Sequence, residues 1–156
     1  MVNPKLAVAL TGRSGEALEE YKKLMLKLNN EVVAAAPDDL LINTHVCRGN
    51  YHSTFFSSGA YDSVADLLFG EENVNAYYLE YDDERSGGFA PLAKVSGDKK
   101  VVLGLVTTKT PALENKELVI NRIHEAAKYV PLDRLYLSPQ CGFASCEIGN
   151  KLTEEE

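Results

Sequence analysis

The segment VVLGLV, from Val101 to Val106, has no polar face. Successive side chains of a strand point to opposite sides, so a strand that is apolar on both must be covered on both, as an interior strand of a parallel sheet is. Other strand-forming stretches recur along the chain: LLINTHV from Leu40 to Val46, which reads as a buried strand, AYYLEY from Ala76 to Tyr81, and LDRLYLSP from Leu132 to Pro139. Between them the apolar residues follow helical spacing. Tyr21, Met25, Leu28 and Val32 recur at steps of three and four from Leu18 onward, with Ser14 placed to cap the start, Glu16 suited to the first turn and Pro37 closing the far end. Tyr61 to Phe69 predicts a short amphipathic helix, and Phe89 to Val95 another that stops near Gly97. Val119, Ile123, Ala126, Ala127 and Val130 mark the stripe of a further helix that ends at Pro131. Helix and strand thus alternate four times, which predicts an α/β protein built on a parallel sheet. No linker-like or low-complexity tract divides the chain, so residues 1–156 read as one domain.

Composition excludes several classes of function. With 16 basic against 23 acidic residues and a formal net charge of −7, the basic footprint of a nucleic-acid binder is absent. No apolar run approaches the roughly 20 residues that cross a bilayer, and MVNPKLAVAL lacks the pattern of a secretory signal, so no membrane partner and a cytoplasmic location are expected. Three cysteines in a reducing compartment point to packing, metal ligation or catalysis rather than to a disulfide framework.

In parallel α/β architectures, functional groups gather beyond the carboxyl ends of the strands. His45 and Cys47 follow the first strand, Glu80 ends the second, Lys109 follows the third and Cys141 the fourth. Two thiolates, an imidazole and a carboxylate suit a tetrahedral zinc ion, which makes His45, Cys47, Glu80 and Cys141 a candidate ligand set. The competing reading is plain packing: both cysteines as small buried hydrophobes, His45 as a hydrogen-bonded core residue and Glu80 as a solvated strand terminus. The residues alone leave both open. Cys146, five residues past Cys141, is read as a non-ligand but competes for the fourth position; Asp82, Asp83 and Glu84 are alternative oxygen donors. His52 falls in the loop over the site, and His124 lies in a helix and reads as a surface or packing residue.

Four stretches in this order, HVCRGN, LEYDDERSG, LGLVTTKTP and LSPQCGFAS, closely resemble the carboxyl-terminal catalytic region of cobalamin-independent methionine synthases, above all their shorter single-barrel relatives. The resemblance runs from Lys5 to Leu152. It implies a (β/α)8 barrel that binds zinc through His45, Cys47, Glu80 and Cys141 and transfers a methyl group from methyltetrahydrofolate to the thiol of homocysteine, giving methionine. At the family's proton-donor histidine this chain carries Lys109, within TTKTP. A lysine, with an ordinary pKa of about 10.4, is a poor acid near neutrality. Transfer of another alkyl group to another thiol, such as coenzyme M, is therefore an alternative that shares the zinc chemistry. A complete barrel takes about 250 residues. The chain accounts for the last four strand units, half of a TIM-type barrel with open edges, so self-association or a companion half-barrel is expected. A truncated, catalytically silent zinc-binding or dimerising fragment is the alternative from a different class, and a plain structural zinc protein a third.

Overall fold

The computed structural model describes residues 2–155. Its elements are α1 (Pro4–Thr11), α2 (Gly15–Ala34), β1 (Asn43–Val46), α3 (Ala65–Glu71), β2 (Ala76–Glu80), β3 (Lys100–Val106), α4 (Lys116–Ala126) and β4 (Leu135–Pro139), with short 3-10 turns at Tyr61–Ser63, Glu84–Ser86, Ala90–Lys94 and Leu132–Arg134. All four strands are parallel and lie in chain order, β1-β2-β3-β4, in one open sheet.

The core lies against one face of this sheet. Tyr77 and Leu79 of β2 and Val101, Leu103 and Leu105 of β3 meet Tyr61, Phe69, Phe89, Leu92, Ala126 and Val130 from the connections. Five aromatic rings run through it in sequence of contact: Tyr77 on Phe69 (5.1 Å between centroids), Phe69 on Tyr61 (5.7 Å), Tyr61 on Tyr81 (5.2 Å) and Tyr81 on Phe89 (4.5 Å). Tilted contacts of this kind add to the area that the rings bury. The opposite face of the sheet carries the row His45, Tyr78, Val102, Tyr136, which the strand register aligns.

Several expectations shift. The expected strand LLINTHV pairs only over Asn43–Val46, and Leu40 and Leu41 are exposed. β1 is an edge strand, with a paired neighbour on one side only among the described residues, so its outer flank is left open. At the other edge, Leu137 of β4 is exposed for the same reason. On α2 the stripe Met25, Leu28 and Val32 faces outward, and the packed side runs through Leu18, Lys22, Leu26, Asn30 and Val33. Polar contacts fix this rotation: Lys22 Nζ donates to the Ser63 carbonyl, and Asn30 bridges the Glu71 carbonyl and the Asn73 N–H. Ser14 occupies the N-cap of α2 without making a side-chain capping bond. The expected helix Tyr61–Phe69 is a 3-10 turn followed by α3, and Phe89–Val95 is a 3-10 turn.

Helix α1 has no counterpart in the sequence reading, although its signals were legible. Asn3 accepts from the Leu6 N–H as N-cap, Pro4 sits at the first position, and Gly12 closes the helix in a left-handed conformation.

Candidate metal centre

The strand register explains how residues far apart in sequence meet. His45 pairs with Tyr78, so one residue further on Val46 pairs with Leu79, and Cys47 leaves β1 level with Glu80. Glu80 in turn pairs with Gly104, which pairs with Ser138, three residues before Cys141. Sidedness alternates, so His45, Cys47 and Glu80 share the face opposite the aromatic core. One donor atom from each of His45, Cys47, Glu80 and Cys141 lies within 4.8 Å of every other. Cys47 Sγ and Cys141 Sγ are 4.0 Å apart, and His45 Nε2 is 3.9 Å from Glu80 Oε1. Bond lengths of about 2.0–2.3 Å to a tetrahedral zinc put its donors roughly 3.3–3.8 Å apart, close to these separations.

The surroundings of His45 and Glu80 leave each with a donor atom turned into the cluster. His45 Nδ1 is 3.1 Å from the Tyr78 carbonyl, which can only accept; the proton therefore sits on Nδ1 and leaves the Nε2 lone pair aimed at Glu80. Glu80 is fully buried. Its Oε2 accepts from the Arg48 N–H at 3.2 Å and lies 3.6 Å from Arg85 Nη2, whereas Oε1 has no hydrogen-bond partner among the described residues. A buried carboxylate oxygen left without a donor costs about 1–3 kcal/mol, and a cation beside His45 Nε2 would remove that cost. Partial burial of its sulfur pushes the Cys47 thiol up to about 11, with Glu80 and Cys141 adding to the rise and the Gly49 N–H opposing it, so this side chain ligates only once a cation offsets that rise. Two sulfurs, an imidazole nitrogen and a carboxylate oxygen are the donor types that zinc takes. The donor set fits zinc.

Around the donors a polar lattice joins three loops. Asn50 Oδ1 accepts from Lys109 Nζ (2.9 Å) and from Asn150 Nδ2 (3.0 Å), and Asn50 Nδ2 donates to the Gly142 carbonyl (2.5 Å). Gln140 Oε1 accepts from the Thr108 N–H, and Asn150 Nδ2 donates to the Thr108 carbonyl. The loops bearing Cys47 and Cys141 are thereby tied to each other and to the end of β3. Gly49 makes the first loop possible: its φ of +99° is left-handed, and a Cβ there would lie 2.6 Å from Phe56 N.

Lys109 is buried beside the cluster, and its Nζ also donates to the Gly49 carbonyl at 3.3 Å. Cys146 stands outside the group of donors. Asp82 is engaged by Arg85 at 2.8 Å and by Thr107 Oγ1 at 3.0 Å, and Asp83 caps the turn Glu84–Ser86. His52 Nδ1 contacts the Gly149 carbonyl, and His124 is exposed on α4. The packing alternative for Cys47 and Glu80 is reversed: the cysteine is exposed and the glutamate is buried. Sequence reasoning missed Arg48, Asn50, Thr108, Gln140 and Asn150. Only Arg48 and Asn50 carried a hint, since both flank the His-x-Cys pair.

Residues 16–153 match the family described as the catalytic domain of cobalamin-independent synthase. The chain belongs to this family. It is 52% identical over 143 residues to the uncharacterised Bacillus subtilis protein YxjG, covering 91% of this chain and 38% of that protein. A methionine synthase of Pyrococcus horikoshii is 25% identical over 141 residues, 80% of this chain and 38% of its own length. A Listeria monocytogenes structure assigned as a vitamin-B12-independent methionine synthase is 41% identical, with a TM-score of 0.66 over 86% of this chain and 37% of that one. The chain therefore spans a little over a third of the length of these relatives, and the four parallel strands with their helices form a partial barrel of the cobalamin-independent synthase fold. Among the described residues no helix is long and apolar enough to cross a membrane.

Proposed function

We propose that His45, Cys47, Glu80 and Cys141 hold a zinc ion that activates a thiol for methylation, with homocysteine as acceptor, methyltetrahydrofolate as donor and methionine as product. The observation that carries this reading is the meeting of four zinc-type donors from separate strand ends within 4.8 Å. Membership of the cobalamin-independent synthase family supports methyl transfer as the reaction class. When bound, zinc supplies Lewis acidity that draws a substrate thiol toward its thiolate, the nucleophilic form.

The protein's own residues prepare that chemistry. The Tyr78 carbonyl holds His45 as the tautomer that ligates through Nε2, and the Gly49 N–H donates to Cys47 Sγ at 3.3 Å, which offsets part of the rise that disfavours its thiolate. Beside the donors a cleft of about 310 Å³, lined by His45, Tyr78, Pro139, Gln140 and Cys141 among others, admits a small thiol. Transfer forms an S–CH3 bond and breaks the N–CH3 bond of the donor; the electron pair stays on that nitrogen, which takes up a proton. Lys109, which the family resemblance sets at the proton-donor position, is the residue we assign beside that nitrogen; as a poor acid near neutrality it would deliver the proton slowly, and replacing it tests the assignment.

A second reading is a zinc-binding module without turnover by itself, since the four donors meet within this chain alone. The exposed Tyr78 and Tyr136 of the open sheet face supply a surface for a second copy or a companion half-barrel.

Zinc content, solution mass and methionine formation, measured on one preparation, test both readings. One zinc per chain with methionine formed from homocysteine and methyltetrahydrofolate supports the enzyme. One zinc without product selects the module, and failure to retain zinc after loading overturns both.

A further inference from the structure

Arg48 directly follows the candidate ligand Cys47, and its side chain points to the opposite face, into the core, where it is 1% exposed. A guanidinium is seldom buried unless its donors are fully engaged. Here Nε and Nη2 both donate to the Gly59 carbonyl, at 3.1 and 2.6 Å, while Nη1 donates to Tyr61 Oη at 2.8 Å and to the Glu80 carbonyl at 3.2 Å. Its carbon centre lies 4.2 Å from the centre of the Tyr61 ring. Tyr61 Oη in turn accepts from the Glu80 N–H at 2.9 Å. The main chain of Glu80 is thus gripped on both its N–H and its carbonyl by one buried pair, Arg48 and Tyr61.

The carboxylate is held by a different part of the same residue. The Arg48 backbone N–H donates to Glu80 Oε2, whereas Nη1 stands 3.9 Å from that oxygen, beyond hydrogen-bond reach. The anchored side chain fixes the Arg48 backbone, and that backbone occupies one carboxylate oxygen and leaves Oε1 turned toward His45. Arg85 also lies 3.6 Å from Oε2, but its closer partners are Asp82 at 2.8 Å and Asp83. Arg85 adds charge near Glu80; Arg48 sets the geometry.

We propose that Arg48 is the positioning residue of the metal centre, orienting Glu80 and coupling it to Cys47 through the peptide that joins Cys47 and Arg48. The inference rests on the reading of the cluster as a metal centre. It separates orientation from charge: a lysine keeps the positive charge but cannot reach Gly59, Tyr61 and the Glu80 carbonyl together. Loss of an outer partner of a metal ligand lowers affinity about 10–100-fold.

The test is a double-mutant cycle on metal affinity in the full 156-residue chain. Cobalt(II) is titrated into the metal-free protein, with the thiolate-to-cobalt absorption band as the signal and zinc as competitor. Arg48→Lys is expected to weaken binding at least about tenfold in the native background, and by less than about twofold once Glu80→Gln has removed the ligand through which Arg48 acts. Equal losses in both backgrounds, or a lower melting temperature with unchanged affinity, would give Arg48 a merely structural role and overturn the proposal. Should Arg48→Lys fail to fold, Tyr61→Phe keeps the ring, removes the hydroxyl that joins Arg48 to the Glu80 N–H, and enters the same cycle. Wild-type protein that binds neither cobalt nor zinc would refute the metal centre itself, and the inference with it.

Discussion

Gly104 sits between two of the candidate ligands, and adding a single methyl group there should disturb both. It pairs with Glu80 on one side and with Ser138 on the other, at the irregular end of the β3–β4 ladder. A Cβ on Gly104 would lie 2.6 Å from the Leu79 carbonyl oxygen, 2.6 Å from Gln140 Cα and 3.2 Å from the Pro139 carbonyl oxygen. The first two contacts fall about 1 Å inside an ordinary separation of 3.5–4.0 Å. All three neighbours are backbone, so no rotamer change relieves the clash; β3 must part from β2 or from β4, carrying Glu80 or Cys141 away from the other donors. Overpacking of this kind costs about 1–3 kcal/mol. In a chain of this length, that lowers the melting temperature by about 2–12 °C.

The assay compares thermal melts of metal-free Gly104→Ala and wild type, followed by zinc–cobalt competition, in which a loss of about tenfold or more in affinity is expected. Gly70→Ala serves as control: its Cβ meets only the Lys94 carbonyl oxygen, at 4.0 Å, and in α3 it should gain roughly 0.5–1 kcal/mol. Wild-type melting and wild-type affinity in Gly104→Ala would refute the argument that a tight β3 sets the spacing of the donors.

Cys47→Ser and Cys141→Ser should each reduce zinc retained after dialysis, measured by elemental analysis, while Cys146→Ser retains it. Chelation should abolish the cobalt signal yet keep most of the far-ultraviolet circular dichroism, because the aromatic core contains none of the four donors. Glu72 is buried, with no hydrogen-bond partner for Oε2 among the described residues, and burial raises its pKa above the ordinary 4.5. Below pH 4.5 it is protonated in both states; as pH rises through its folded value, the unfolded chain ionises more readily and the fold loses stability. Glu72→Gln should therefore melt higher than wild type at neutral pH, by on the order of 1 kcal/mol, with the difference shrinking toward pH 4 in melts taken across that range.

Much was legible in the sequence because periodicity and strand-end position are local properties. The apolar VVLGLV did become an interior parallel strand, and the residues at the ends of the other strands did converge, since parallel strands in register bring their carboxyl ends to one rim. The same sequence left the two fates of Cys47 and Glu80 undivided and misjudged the buried side of α2. Helical spacing defines stripes but not which of two adjacent stripes faces the sheet; on α2 Lys22 and Asn30 made that choice through contacts 41 residues away. Edge exposure at Leu41 and Leu137 likewise follows from how many neighbours a strand has, which no single strand encodes. Only the tertiary structure buried Arg48, because a guanidinium can be read as core only once the Gly59 carbonyl, Tyr61 and Glu80 are seen to consume its donors. The sequence determined which chemistry was present and on which strand ends; three-dimensional register and the burial of polar partners decided which atoms face one another.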